Sequence, residues 1–133
     1  MNKTMFVTHL EDQDIVLTTY GTLQSELKEN DYSECGPLIK AKWLRVCLDE
    51  GHNIKNHLAR TSKAAARLNT ERKWIISGTP IQNNMREFWA LLFWLGEPHF
   101  GMDRPRFRNR IEKPINRGSM GGFYRYARVF NQG

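Results

Sequence analysis

Short apolar runs, each closed by a turn of polar or small residues, set what this chain can fold into. Trp43-Leu44-Arg45-Val46-Cys47-Leu48 runs directly into Asp49-Glu50-Gly51-His52, and Lys73 to Ile76 runs into Ser77-Gly78-Thr79-Pro80. A third run, Asp14-Ile15-Val16-Leu17-Thr18-Thr19-Tyr20, is rich in β-branched residues. Runs of this length with such flanks read as buried strands. A short helix is expected from Tyr20 to Glu29, then a loop from Asn30 to Pro37 with Asp, Ser, Gly and Pro. Asn53 to Asn56 makes a polar connection, and Leu58 to Leu68, with Ala64, Ala65 and Ala66, is a good helix former. Strands alternating with helices of this length predict an α/β fold with a mostly parallel sheet flanked by helices.

Asn84 reads as a helix N-cap with Glu87 three positions on. Met85, Phe88, Trp89, Leu92 and Leu95 then recur at helical spacing, so this helix buries one broad face, and Gly96-Glu97-Pro98 ends it. Beyond Gly101 a basic helix is expected over Asp103 to Ile111, a break over Gly118 to Gly122, and a last short helix over Phe123 to Phe130. Charge follows the same division. Lys/Arg and Asp/Glu cancel over residues 1–100, so the whole formal excess of +6 lies in 101–133. Seven of the bases there are Arg: Arg104, Arg106, Arg108, Arg110, Arg117, Arg125 and Arg128. Such a block binds polyanions electrostatically or forms a solvated basic face.

Some classes are excluded. The longest apolar run, Phe88 to Leu95, is far short of the about 20 residues of a membrane span. The start carries Glu11, Asp12 and Asp14 and does not read as a signal or transit peptide. Two cysteines, Cys35 and Cys47, are too few for a disulfide framework, and Cys47 inside an apolar run reads as a buried thiol. A soluble, intracellular protein in a reducing compartment is expected.

Ligands of parallel α/β sheets bind beyond the carboxyl ends of the strands, where Asp49 and Glu50 would stand. A strand-end Asp suits a magnesium ion carried by phosphates, and an adjacent carboxylate can deprotonate an aligned water. His52 can hydrogen-bond to the phosphate side or to a neighbouring loop. An Asp-Glu pair alone also marks an ordinary solvated loop start. A zinc site at His52 and His57 lacks a third ligand and the H-E-x-x-H spacing.

The two central motifs together resemble the first ATPase lobe of the Swi/Snf-type helicase-like DNA translocases of helicase superfamily two, a partial RecA-like lobe. Leu44 to Asn56 is similar to that family's motif two, Trp74 to Asn84 to its motif three, and Asp14 to Tyr20 to its motif one-b. Gly51 in place of the usual Ala, and Phe107 to Gly122, look most like the helicase-like transcription factor branch. His57 stands where Pro usually follows Lys-Asn. The similarity covers residues 12 to about 130.

The resemblance implies an ATP-dependent activity on duplex DNA and chromatin, in DNA repair or transcription, within the nucleus. It implies that Asp49 holds Mg²⁺ through water and that Glu50 activates the attacking water. His52, Ser77, Thr79 and Gln82 would couple nucleotide state to DNA, and Thr18, Thr19 and Tyr20 would lie near the tracked strand. Arg104, Arg106, Arg108 and Arg110 are the basic-tail candidates for DNA contact. Residues 12–100 would be the C-terminal half of the ATP-binding lobe, and 101–133 a basic tail like the family's helical insertion.

The family's phosphate loop ends in Gly-Lys, a dipeptide this chain does not contain. The expectation is therefore a chain that begins after the nucleotide-binding loop, without the first half of lobe one or the second lobe. Alone it would turn over no ATP and would expose an apolar sheet edge. A non-catalytic DNA- or protein-binding fragment, or a non-functional one, are the alternatives.

Overall fold

Strand β1 (Lys42–Leu48) and strand β2 (Asn69–Ile75) pair in parallel, with Lys42 opposite Asn69 and Leu48 opposite Ile75. They are the two strands of the sheet in a computed structural model that describes residues 3–78 and 85–122. Parallel strands need a crossover, and here it carries a 3₁₀ turn (Gly51–Ile54) and a helix (Arg60–Ala66). Before β1 come α1 (Lys3–Glu11), α2 (Tyr20–Glu26) and α3 (Pro37–Lys40), so the crossover helix is α4. These elements belong to the first of two units, Met1–Pro80.

Local chemistry fixes the ends of these short helices. Thr19 caps α2, its hydroxyl accepting the Thr22 N–H at 3.1 Å. The Arg60 guanidinium donates to the Gln24 and Leu27 carbonyls at the other end, supplying partners that a helix C-terminus lacks. The Glu26 carboxylate accepts the Leu38 N–H at 2.8 Å and so starts α3, with Pro37 already fixed for a first helical turn. Leu23, Leu27, Leu38, Ile39, Ala64 and Ala65 are buried in this unit.

Three expectations change. The run from Asp14 to Thr19 is not a strand, and Ile15 and Leu17 are 80% and 92% exposed. A β-branched composition favours extended backbone, but a strand needs a ladder partner, and this run pairs with neither β1 nor β2. Strand β2 starts four residues earlier than the apolar run, because Asn69 to Arg72 pair with the first half of β1. The third correction concerns Cys47, which is exposed, while Cys35 is the buried thiol. Cys47 lies opposite Trp74, and Trp74 is itself 53% exposed with the Arg45 guanidinium 4.4 Å above its ring.

Leu44 and Ile76 are also more than half exposed. Parallel sheets are ordinarily covered on both faces, so the isolated chain is expected to self-associate. Sedimentation should show a weight-average mass that rises with concentration; a monomer at every concentration would contradict this.

In the second unit, Ile81–Gly133, α5 (Met85–Leu95) is a helix as its spacing predicts, but burial extends beyond the expected face: Ala90, Leu91 and Trp94 are buried too, while Leu95 is 40% exposed. Phe88, Trp89 and Leu92 pack with Phe107 and Ile111 into one apolar cluster. Gly96, at φ 75°, ends α5: its N–H and that of Glu97 return to the Phe93 and Leu92 carbonyls. The expected N-cap, Asn84, lies outside the described residues, as does Phe123 to Phe130.

Asp103 caps the basic helical run, accepting the Arg106 N–H at 2.8 Å. That run continues past Ile111 as α6 (Arg104–Phe107), a π turn (Arg108–Glu112) and α7 (Lys113–Asn116). The π turn sits directly ahead of Pro114, which has no N–H to give and whose ring would crowd the carbonyl four residues back in a regular helix. Gly118, at φ 71°, ends α7. Among the described residues no helix is long and apolar enough to cross a membrane.

Candidate functional site

Leu48 is the last residue of β1, and the chain turns sharply beyond it. Ile76, just past β2, donates its N–H to the Leu48 carbonyl at 2.8 Å and accepts the Gly51 N–H at 3.1 Å. The turn Asp49-Glu50-Gly51 is thereby stapled to the end of the neighbouring strand, with Ser77 next along the chain. Gly51 is buried, and a methyl group on it would overlap Ile75 Cγ2. The local packing thus accounts for glycine where the similar motif usually has alanine.

Glu50 has φ 49° and ψ 55°, the one non-glycine residue with positive φ among the described residues. A left-handed conformation costs such a residue roughly 1–2 kcal/mol, so neighbours must hold it. The Glu50 N–H donates to Asp49 Oδ1 at 2.9 Å. The Glu50 carbonyl accepts from the Asn53 N–H at 3.0 Å and the Asn53 amide at 2.9 Å. His52 Nδ1 lies 3.0 Å from Glu50 Oε2. Both carboxylates are exposed, so the turn offers two acids to solvent on a fixed backbone.

Tyr20, the first residue of α2, reaches the turn. Its hydroxyl donates to the Asp49 carbonyl at 2.7 Å. Burial, and then the negative charge of the nearby Asp49 carboxylate, push the phenol up to about 12. It therefore remains a protonated donor throughout the neutral range.

The structure thus gathers Asp49, Glu50, His52, Ser77 and Tyr20 at one end of the sheet. Thr18 is exposed, and Thr19 is engaged as the α2 cap. Thr79 and Gln82 lie outside the described residues. The sequence signals the acids but not the roles of Asn53 and the Tyr20 hydroxyl; a donor reaching one backbone carbonyl leaves no spacing pattern to read.

The four alternate arginines of the second unit divide. Arg104 is packed inward: its guanidinium lies 5.1 Å from the Trp89 ring and 5.5 Å from the Phe107 ring, and pairs with Glu112 at 2.8 Å. Residues two apart on a helix point to different sides, so one of four turning inward is a natural result of that spacing. Arg106, Arg108 and Arg110 are exposed.

No group of three or more His, Cys, Asp or Glu able to hold a metal occurs among the described residues. That donor set does not suit a dedicated protein cage. It does suit a hard cation that keeps its waters, takes phosphate oxygens, and needs one or two carboxylates.

The profile of the SNF2-related domain matches residues 2–132. Human helicase-like transcription factor is 44% identical over 118 residues, covering 87% of this chain and 11% of that protein. The DNA repair protein RAD5A of Arabidopsis thaliana is 36% identical over 113 residues, covering 85% of this chain and 11% of that protein. The solved Sulfolobus solfataricus SWI2/SNF2 ATPase core in complex with dsDNA superposes with a TM-score of 0.69 at 30% identity, over 89% of this chain and 23% of that one. The chain therefore spans about a tenth of these curated relatives' length and about a quarter of the solved core.

Proposed function

Since the chain belongs to the SNF2-related domain family, we propose that it supplies the hydrolytic acids of an ATP-dependent DNA translocase acting in the nucleus in DNA repair or transcription. The supporting observation is the acid turn, a left-handed Glu50 stapled to the end of a parallel strand with its carboxylate against His52. On this reading residues 12–100 carry the family motifs, and 101–133 form a basic extension.

Asp49 would hold the magnesium ion that accompanies ATP, an ion that offsets the phosphate charge when bound. Glu50 takes the proton of the attacking water while the water oxygen bonds to the terminal phosphorus and ADP leaves. His52 keeps the Glu50 carboxylate oriented through its Oε2 contact. Ser77 comes just after the end of the strand stapled to that turn, with Thr79 and Gln82 next in the sequence, an order that suits them to relay nucleotide state. The nucleic-acid partner is duplex DNA, the ligand named for the Sulfolobus core; chromatin is the packaged form of the same polyanion.

The complete protein is expected to hydrolyse ATP faster when duplex DNA is present, and a rate indifferent to DNA would sink the reading. Thr18, Thr19 and Tyr20 are proposed to line the DNA path. Arg106, Arg108 and Arg110 are proposed to meet phosphates, with Arg104 holding the fold beneath them. Replacing those three exposed arginines by Ala should weaken DNA binding mainly at low salt. The log–log salt slope should become shallower by about 0.9 for each phosphate no longer neutralised. An unchanged slope would leave them as a solvated face.

A further inference from the structure

We propose that Tyr20 is a positioning residue for the acid turn: its hydroxyl holds the Asp49–Glu50 peptide plane in the orientation that keeps Glu50 left-handed. This ties the Thr18-Thr19 segment to the acids. The carbonyl of Asp49 and the N–H of Glu50 belong to one rigid peptide unit, so fixing both ends of that unit fixes how Glu50 departs from it. Tyr20 grips the oxygen end at 2.7 Å, and Asp49 Oδ1 grips the N–H end at 2.9 Å. The strain of a left-handed glutamate and the net worth of one hydrogen bond are of similar size. Loss of the phenolic donor therefore removes a restraint as large as that strain, leaving the Asp49 Oδ1 and Asn53 bonds to oppose it alone.

Tyr20 is also the first residue of α2, directly after the capping Thr19. A displacement of Thr18 or Thr19 thus moves the ring, and through its hydroxyl the plane that aims Glu50. Neither feature lies near the other in sequence; the hydrogen bond joins them. The coupling role rests on the hydrolytic reading of the turn, whereas the positioning role does not.

The test is Tyr20→Phe in the full chain, followed by NMR without nucleotide or DNA. The Glu50 backbone coupling constant should leave the left-handed range. The Gly51 and Asn53 amides, which close the turn, should exchange with solvent about ten-fold faster, while those of Ala64 and Ala65 in α4 keep their rates. A Glu50 that stays left-handed with unchanged Gly51 exchange overturns the proposal, as does an equal acceleration everywhere. If the variant fails to fold, the wild-type chain still decides. Its Tyr20 hydroxyl proton should exchange slowly and correlate with the Asp49 carbonyl carbon, and a fast-exchanging hydroxyl overturns the assignment.

In the complete protein, Tyr20→Phe should lower kcat about ten-fold and leave the KM for ATP unchanged. An unchanged kcat in a protein whose turnover depends on Glu50 overturns the coupling alone. Turnover that does not depend on Glu50 instead removes the hydrolytic reading.

Discussion

Glu50→Gln in the complete protein is expected to cut DNA-stimulated ATP turnover by roughly 10²–10⁴-fold, the usual worth of a positioned general base. Glutamine keeps the length of the side chain and an oxygen acceptor for the His52 ring, which lies 3.0 Å from Glu50 Oε2. It also meets the same backbone constraint at φ 49°. The substitution therefore removes basicity and little else. Nucleotide affinity should survive, because the missing contribution is made in the transition state and not in binding. Steady-state turnover beside equilibrium ATP binding reads both quantities, and unchanged turnover would remove Glu50 from the chemistry.

The second large effect concerns stability. Gly101→Ala should destabilise the second unit by about 3 kcal/mol, at the upper end of ordinary overpacking costs. The added methyl would overlap the Leu92 carbonyl oxygen and stand 2.7 Å from both the Leu92 carbonyl carbon and the Glu97 carbonyl oxygen. All three are backbone atoms at the closed end of α5, so no side chain can swing away to make room.

The same turn is held by Glu97, whose carboxylate accepts N–H groups from Phe100 at 2.6 Å, Gly101 at 3.0 Å and His99 at 3.1 Å. Burial raises that carboxyl, but the three donors outweigh it and keep it below the usual range. Any backbone shift that accommodates the methyl strains these bonds. It also strains the 3.0 Å bond from the Trp89 indole N–H to the Phe100 carbonyl. Tryptophan fluorescence during denaturant unfolding should show the midpoint fall; an unmoved midpoint would show that the turn yields freely.

The elements that can be read from the sequence are those whose own residues decide them. Strand β1 carries a compact apolar run with polar flanks and helix α5 apolar residues at helical spacing, enough to specify their states, and Asp103 announces the start of the basic helix. The run from Asp14 to Thr19 misleads because its composition is that of a strand while the pairing that makes one depends on other residues. The converse holds for Asn69 to Arg72, polar residues drawn into β2 by facing Lys42 to Arg45. In the site, Asp49 and Glu50 are legible from their place behind an apolar run. The left-handed backbone of Glu50, the glycine fitted against Ile75, and the inward turn of Arg104 are not. Each depends on an atom brought near by folding, and nothing at the position itself announces it.

The pair of hydrogen bonds by which Ile76 clasps Leu48 and Gly51 has a consequence for biosynthesis. As the chain leaves the ribosome, Asp49 and Glu50 appear well before the residue that shapes them. Until Ile76 has emerged and the crossover has closed, the acids belong to a pliable loop with ordinary backbone preferences. The acid turn is therefore a late product of folding, completed only when an earlier tyrosine and a later isoleucine are both present.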